Sequence, residues 1–131
     1  MEHMATHIET GLEGESLAAA YLEAQGWEIL SRRWRDGASG GVRTDVDLVA
    51  RSADGVYHFV EVKTRSGDGQ GDYAPENAVD ARKIDRMIAA AERYMTLRRL
   101  DGEVSVDLIA ILVGRSGDTS PVIRYYPNIV R

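Results

Sequence analysis

The sequence predicts one mixed α/β domain, helices packed on a central sheet, in the order α-β-β-β-α-β-β. Three observations carry that expectation. Residues 10–25, TGLEGESLAAAYLEAQ, and residues 78–100 place apolar side chains at helical spacing. Five runs, WEILSRRW, TDVDLVAR, VYHFVEVKT, EVSVDLIAILVG and VIRYYPN, have strand character. Stretches rich in glycine, serine and aspartate separate several of them.

In the first helix, Leu12, Glu15, Ala18, Ala19 and Leu22 share a face, and Gly26 is a C-terminal stop. The small Ala18 and Ala19 allow close approach to a sheet. The strand at 27–34 leads into the loop DGASGGVR, 36–43. The strand at 44–51 follows, then the turn SADG, then the strand through Thr64. A second polar loop, SGDGQGDYAPEN, spans 66–77. The long helix after it has a core stripe of Ile84, Met87, Ile88, Ala91 and Met95, with Arg82, Arg86 and Arg93 roughly opposite. EVSVDLIAILVG reads as a buried strand and VIRYYPN as an outer one. Residues 1–9 are expected to be a flexible terminus and 10–131 a single domain.

Composition narrows the chemistry. The 131 residues include no cysteine, which excludes disulfides, thiolate zinc sites and cysteine nucleophiles. No apolar run approaches the roughly 20 residues needed to span a bilayer. The first ten residues, MEHMATHIET, carry acids and no lysine or arginine, unlike a signal peptide, so a cytoplasmic protein is expected. Net charge is −5, which argues against coating nucleic acid by bulk electrostatics. It does not exclude a nucleic-acid enzyme, because a metal site itself concentrates carboxylates. The glycines at 37, 40 and 41 match no phosphate loop, and no G-x-S-x-G is present.

The carboxylates are the informative residues. Alternation along TDVDLVA puts Asp45, Asp47 and Val49 on one face and Val46, Leu48 and Ala50 on the other. Alternation along VYHFVEVK puts Tyr57, Phe59, Glu61 and Lys63 together. Two registers are open. A three-residue loop of Ala53, Asp54 and Gly55 sets 52 against 56, and hence Asp47 against Glu61 on one face. A two-residue Asp54-Gly55 turn sets 47 against 62 and splits the acids. Opposed carboxylates repel, and a hard divalent cation bound through oxygen reverses that sign. The Val62 carbonyl, between Glu61 and Lys63, is a candidate further ligand. Glu15, on the inward stripe of the first helix, adds a third acid where an unpaired charge is expensive.

Each feature alone has an ordinary explanation. E-x-K on a strand is commonly a solvated face, and Glu15 near a helix start answers the helix dipole. His58 points away from the acidic face and reads as a surface or packing residue. Trp27, Trp34, Tyr125 and Tyr126 read as core or edge aromatics. The ordered set of helix acid, strand acid, hairpin and E-x-K is what favours chemistry. Of 16 basic residues only Lys63 and Lys83 are lysines. Arg32, Arg33, Arg35 and Arg43, which flank the glycine-rich loop, and Arg82, Arg86 and Arg93 on the long helix are candidates to position phosphates, although a solvated helix face explains the second group at least as well.

Glu15 to Ala18 (E-x-x-A), Asp47 to Ala50 (D-L-V-A) and Phe59 to Arg65 (F-V-E-V-K-T-R) together resemble the bacterial YraN-like family, over roughly residues 11–113. Gly11, Tyr21, Leu22, Gly26 and Lys83 fit the same pattern. That family is similar to the PD-(D/E)xK nuclease superfamily, near archaeal Holliday junction resolvases. The resemblance implies a restriction endonuclease-like core and metal-dependent hydrolysis of DNA phosphodiesters, in branched or other unusual structures. It implies Mg2+ or Mn2+ held by Asp47, Glu61 and the Val62 carbonyl, with Glu15 completing the cluster. Lys63 would orient or activate the attacking water, making Lys63, Glu61, Asp47 and Glu15 the catalytic set. Arg35, Arg43, Arg65 and Lys83 are the candidate nucleic-acid contacts. DNA is the implied partner and a homodimer stays open, with no membrane and no small-molecule cofactor. The chain departs from the family where G-E-I-D-L-I-A is replaced by Thr44, Asp45, Val46, Asp47, where the preceding loop is longer, and at Ser105, where an arginine is usual. The alternative is a nucleic-acid-binding or protein-interaction module that keeps the fold without catalysis.

Overall fold

The structure is a computed structural model that describes residues 6–35, 45–66, 79–113 and 120–130. The loop at 36–43, Arg43 included, and residues 67–77 of the second polar loop lie outside the described residues. Side chains are described from residue 13 onward, so Leu12 of the expected stripe is not among them.

Seven elements follow one another: α1 (Thr6–Ala24), β1 (Glu28–Trp34), β2 (Val46–Arg51), β3 (Tyr57–Ser66), α2 (Ala81–Leu97), β4 (Val104–Val113) and β5 (Val122–Tyr126). The five strands form one sheet in spatial order β1-β2-β3-β4-β5. All neighbours are antiparallel except β3 and β4, which run parallel and are joined through α2, as a parallel pair requires. This is the α/β order expected, with the mixed sheet and flanking helices of a restriction endonuclease-like core.

Helix α1 starts earlier than residue 10, at Thr6, so Glu15 sits mid-helix and does not answer a helix dipole. Its end is a Schellman motif. Gly26 adopts φ +89°, its N–H donates to the Glu23 carbonyl, and the Trp27 N–H reaches back to the Leu22 carbonyl. Helix α2 is capped by Asp80, whose carboxylate accepts from the Lys83 N–H at 2.9 Å. Its far end turns through Arg99 at φ +52°, with the Leu100 N–H bonded to the Met95 carbonyl.

The helices cover opposite faces of the sheet. Against α1, Ala18, Ala19 and Leu22 pack on Leu48, Ala50, Val60, Ile109 and Ile111. Against α2, Ala90, Ala91 and Tyr94 pack on Val46, Val49, Tyr57 and Phe59. Val46 therefore departs from the expected alternation. It joins Val49 rather than Leu48, because it lies beyond the last β2–β3 pair, Leu48–Val60, where β2 leaves the ladder.

The buried residues of α2 are Met87, Ala90, Ala91 and Tyr94. At about 100° per residue this stripe is rotated roughly 70° from the one expected through Ile84, Ile88 and Met95. Tyr94 explains the rotation. Its ring makes edge contacts with Trp34 and Phe59, and its hydroxyl meets the Ser31 hydroxyl at 3.0 Å. The rotation carries Arg86 off the outer face, where the sequence put it, toward the sheet.

Candidate metal and phosphate site

The β2–β3 hairpin takes the three-residue register. The Ser52 N–H donates to the Val56 carbonyl, and the Gly55 N–H to the Ser52 carbonyl. Gly55 occupies the left-handed position at φ +91° that the following bulge demands. The pairs Arg51–Tyr57, Ala50–His58, Val49–Phe59 and Leu48–Val60 follow, and one more step sets Asp47 across from Glu61. Counting from the bonded pair Ser52–Val56, that step is one without backbone bonds, and the next bonded pair would be Val46–Val62. The Val62 N–H instead donates to Asp47 Oδ2 at 2.8 Å, so a carboxylate closes the end of the ladder. A strand residue presents its N–H and C=O to the same neighbour, so the Val62 carbonyl faces the same gap.

Glu61 is 6% exposed and is the focus of the site. Lys63 Nζ stands 3.4 Å from Glu61 Oε2, as their two-residue spacing on one face predicts. Lys83 Nζ stands 3.5 Å from Oε1 and donates to the Asp45 carbonyl at 3.1 Å. The chain's only two lysines thus converge on one glutamate. The Lys83 contact is too long for a hydrogen bond, and Oε1 is buried without one.

Burial first, then the Glu61 charge, push the Asp47 carboxyl up to about 7, against the opposing pull of the Val62 N–H. The more distant Glu15 charge and a hydrogen bond shared with Glu61 add to the rise. Without a cation, two carboxyls at this place are costly unless one holds a proton. An orphaned carboxylate oxygen, a carboxyl driven toward protonation and a backbone carbonyl form an all-oxygen donor set. It fits a hard divalent cation, which would remove the repulsion.

Glu15 is placed differently from the expectation. It comes from α1, across the sheet, and Arg33 on β1 binds it at 3.0 Å. Among the described residues no group of three His, Asp or Glu side chains stands close enough to hold a metal. Asp47 and Glu61 are the acids that stand together, with Glu15 in electrostatic reach. Arg33 itself adopts φ +52° on the irregular strand β1. Of the candidate nucleic-acid contacts only Lys83 is seen joining this site; Arg35 and Arg65 are exposed residues at the end of β1 and late in β3.

Two features of the site were not assigned to it from the sequence. Arg86 lines the same cavity as Glu61, Lys63 and Lys83. Gly14 lets α1 approach β3, since a Cβ there would overlap the Thr64 hydroxyl. The signal for Gly14 was a glycine one residue before the inward Glu15, inside a helix, where a glycine needs a packing reason.

On the α1 face, away from the acids, His58 is neither exposed nor ordinary. Its Nδ1 meets Asp107 Oδ2 at 2.7 Å, its Nε2 meets the Ser52 hydroxyl at 2.9 Å, and Trp27 stacks on the ring. Asp107, fully buried, also accepts from the Ser105 hydroxyl, the Tyr125 hydroxyl and the Asn128 N–H. Burial pushes its carboxyl up, but these hydrogen bonds, led by His58, outweigh it and hold Asp107 below the usual range. The network ties β3, β4, β5 and the C-terminal residues together.

Residues 14–111 match the uncharacterised protein family UPF0102. The chain belongs to that family. A UPF0102 protein of Bacteroides thetaiotaomicron is 41% identical over 115 residues, 88% of either chain. One from Phocaeicola vulgatus is 36% identical over 128 residues, covering 96% of this chain and 99% of its own. One from Christiangramia forsetii is 34% identical over 114 residues, 87% of this chain and 89% of its own. The matched span of the UPF0102 chain contains Glu15, Asp47, Glu61, Lys63 and Lys83. Among its described residues no helix is long and apolar enough to cross a membrane.

Proposed function

We propose that this UPF0102 chain is a metal-dependent nuclease that hydrolyses phosphodiester bonds in DNA, with branched or otherwise unusual structures as its substrates. The observation that carries the reading is the meeting of Asp47, Glu61 and Lys63 where β2 and β3 part, with Glu61 Oε1 buried and unsatisfied. Asp47, Glu61 and the Val62 carbonyl would hold a Mg2+ or Mn2+ ion, which when bound supplies Lewis-acid charge and a more acidic water. Lys63 stands beside Glu61 and is 35% exposed, so its ammonium can meet both the attacking water and a phosphate oxygen. A lysine suits this role because its compact charge can shift its proton affinity, whereas a guanidinium stays charged. The Val62 N–H holds Asp47 in place for the ion.

The tie between Glu15 and Arg33 favours a second reading, a DNA-binding module without catalysis, since it withdraws the third acid. One assay separates the two. Linear, flapped, branched and single-stranded DNA are incubated with wild type, Lys63→Ala and the Asp47→Asn, Glu61→Gln double variant in Mg2+ and in Mn2+. The nuclease reading expects cleavage that both variants lower by about a hundredfold or more. Salt-sensitive binding that survives Lys63→Ala, with no cleavage by wild type, is the outcome of the second reading.

A further inference from the structure

A cavity of about 270 Å³ opens beside the acid pair, lined by Glu61, Lys63, Val79, Asp80, Lys83 and Arg86. Val79 is its one apolar wall, so nothing in it suits an apolar or aromatic ligand. Three cations face two acids, and neither acid is paired with Arg86. Asp80 caps α2 through the Lys83 N–H, and Glu61 is shared between Lys63 and Lys83. Arg86 is left over. Its Nε is buried without a hydrogen-bond partner, and no acid pairs with its guanidinium among the described residues. A buried N–H without an acceptor is expensive, and the guanidinium of this half-buried arginine is a planar fork that matches an anion presenting two oxygens.

We infer that this cavity is a phosphate subsite, in which the Arg86 fork grips a nucleic-acid phosphate and Lys83 flanks it. The placement follows from the rotated stripe of α2. Lys83 and Arg86 continue the buried line of Met87, Ala90 and Tyr94 into the first turns, where the apolar core gives way to the acid pair. Asp80 and Glu61 keep the cavity from excess positive charge when it is empty of anion, and the surplus cation selects an anion over a neutral group. A phosphate held here lies directly beside Glu61 and Lys63. The subsite deepens the nuclease reading and rests on it for the identity of the neighbouring centre, while phosphate capture is a property of the cavity alone.

The test needs neither metal nor turnover. Thermal unfolding of the full chain is followed in chloride buffer with EDTA while inorganic phosphate is titrated at constant ionic strength. Wild type, Arg86→Gln, Arg86→Lys and the exposed-face control Arg82→Gln are compared, each checked for its fold by circular dichroism before phosphate is added. Wild type and Arg82→Gln are expected to show a saturable rise in Tm. Arg86→Gln should bind at least about tenfold more weakly, the usual loss for one charge-assisted contact, and Arg86→Lys should recover part of it. Short DNA duplexes then identify the source. An Arg86-dependent loss of binding to duplexes without terminal phosphates supports a backbone diester, and a loss seen only with phosphorylated ends supports a terminal monoester. A folded Arg86→Gln with the wild-type phosphate response, an equal response to acetate, or no Arg86 dependence on either duplex overturns the subsite. Phosphate capture in a protein that never cleaves DNA would sink the nuclease reading and leave the subsite standing.

Discussion

Replacing Asp47 by asparagine should stabilise the metal-free protein by an amount that grows from about pH 4 and is complete above about pH 7. Asp47 titrates near 7 in the fold rather than at 3.8, and at about 1.4 kcal/mol per pH unit this sets a ceiling of about 4 kcal/mol on the cost of ionising it. The carboxyl is half-buried, and solvent screening brings the expected value to about 1–3 kcal/mol. The sign follows from proton uptake. Between about pH 4 and about pH 7 the folded state holds a proton that the unfolded state has lost, so stability falls as pH rises across that window. Asparagine keeps the shape and can still accept from the Val62 N–H, but it carries no charge. Urea denaturation in EDTA at pH 4, 6 and 8 should show a difference between variant and wild type near zero at pH 4. By pH 8 that difference should favour the variant by about 1–3 kcal/mol. With excess Mg2+ at pH 8 the order should reverse, because only wild type gains binding energy. A difference that does not change with pH, or a variant less stable at pH 8 in EDTA, would refute the reasoning.

Asp107→Asn should be among the most damaging single changes, costing about 3–5 kcal/mol, since it turns an amide toward donors arranged around a buried charge. Because the Asp107 carboxyl titrates below its ordinary range, its stabilising share is present above about pH 4 and is lost as pH falls through its folded value. Urea curves at pH 7 and pH 3 measure both effects, and a cost under about 1 kcal/mol at pH 7 would contradict the network. Gly14→Ala gains about 1 kcal/mol of helix propensity but meets the Thr64 hydroxyl, and overpacking of about 1–3 kcal/mol should make it a net loss. In a Thr64→Ala background the same change should become neutral or favourable, so a double-mutant cycle without coupling would remove the close approach from the account.

Element order was legible because each strand and helix keeps its own period, whereas the hairpin register was one of two left open, and the structure takes the three-residue loop with Gly55 in the left-handed place. Asp47 and Glu61 come together as the alternation allowed. Periodicity could not see Arg86 in the same way. The helical wheel of α2 is ambiguous between its isoleucine line and the line through Tyr94, and long-range contacts with Ser31, Trp34 and Phe59 decide between them. Glu15 was correctly read as inward-facing, yet its partner Arg33 sits at an irregular point of β1 that no local rule indicates. The His58 network was hidden by distance, since Ser52, His58, Asp107 and Tyr125 meet only when three strands pair. Its one local sign was an aspartate inside the apolar run VSVDLIAILV, a charge that burial makes untenable without partners.

The measurement that tests the central claim most directly is calorimetric titration of Mg2+ and Mn2+ into wild type and into the Asp47→Asn, Glu61→Gln double variant, with and without DNA. The account predicts saturable binding by wild type that the double variant loses. Equal heats from the two proteins, or none from wild type even with DNA present, would contradict it.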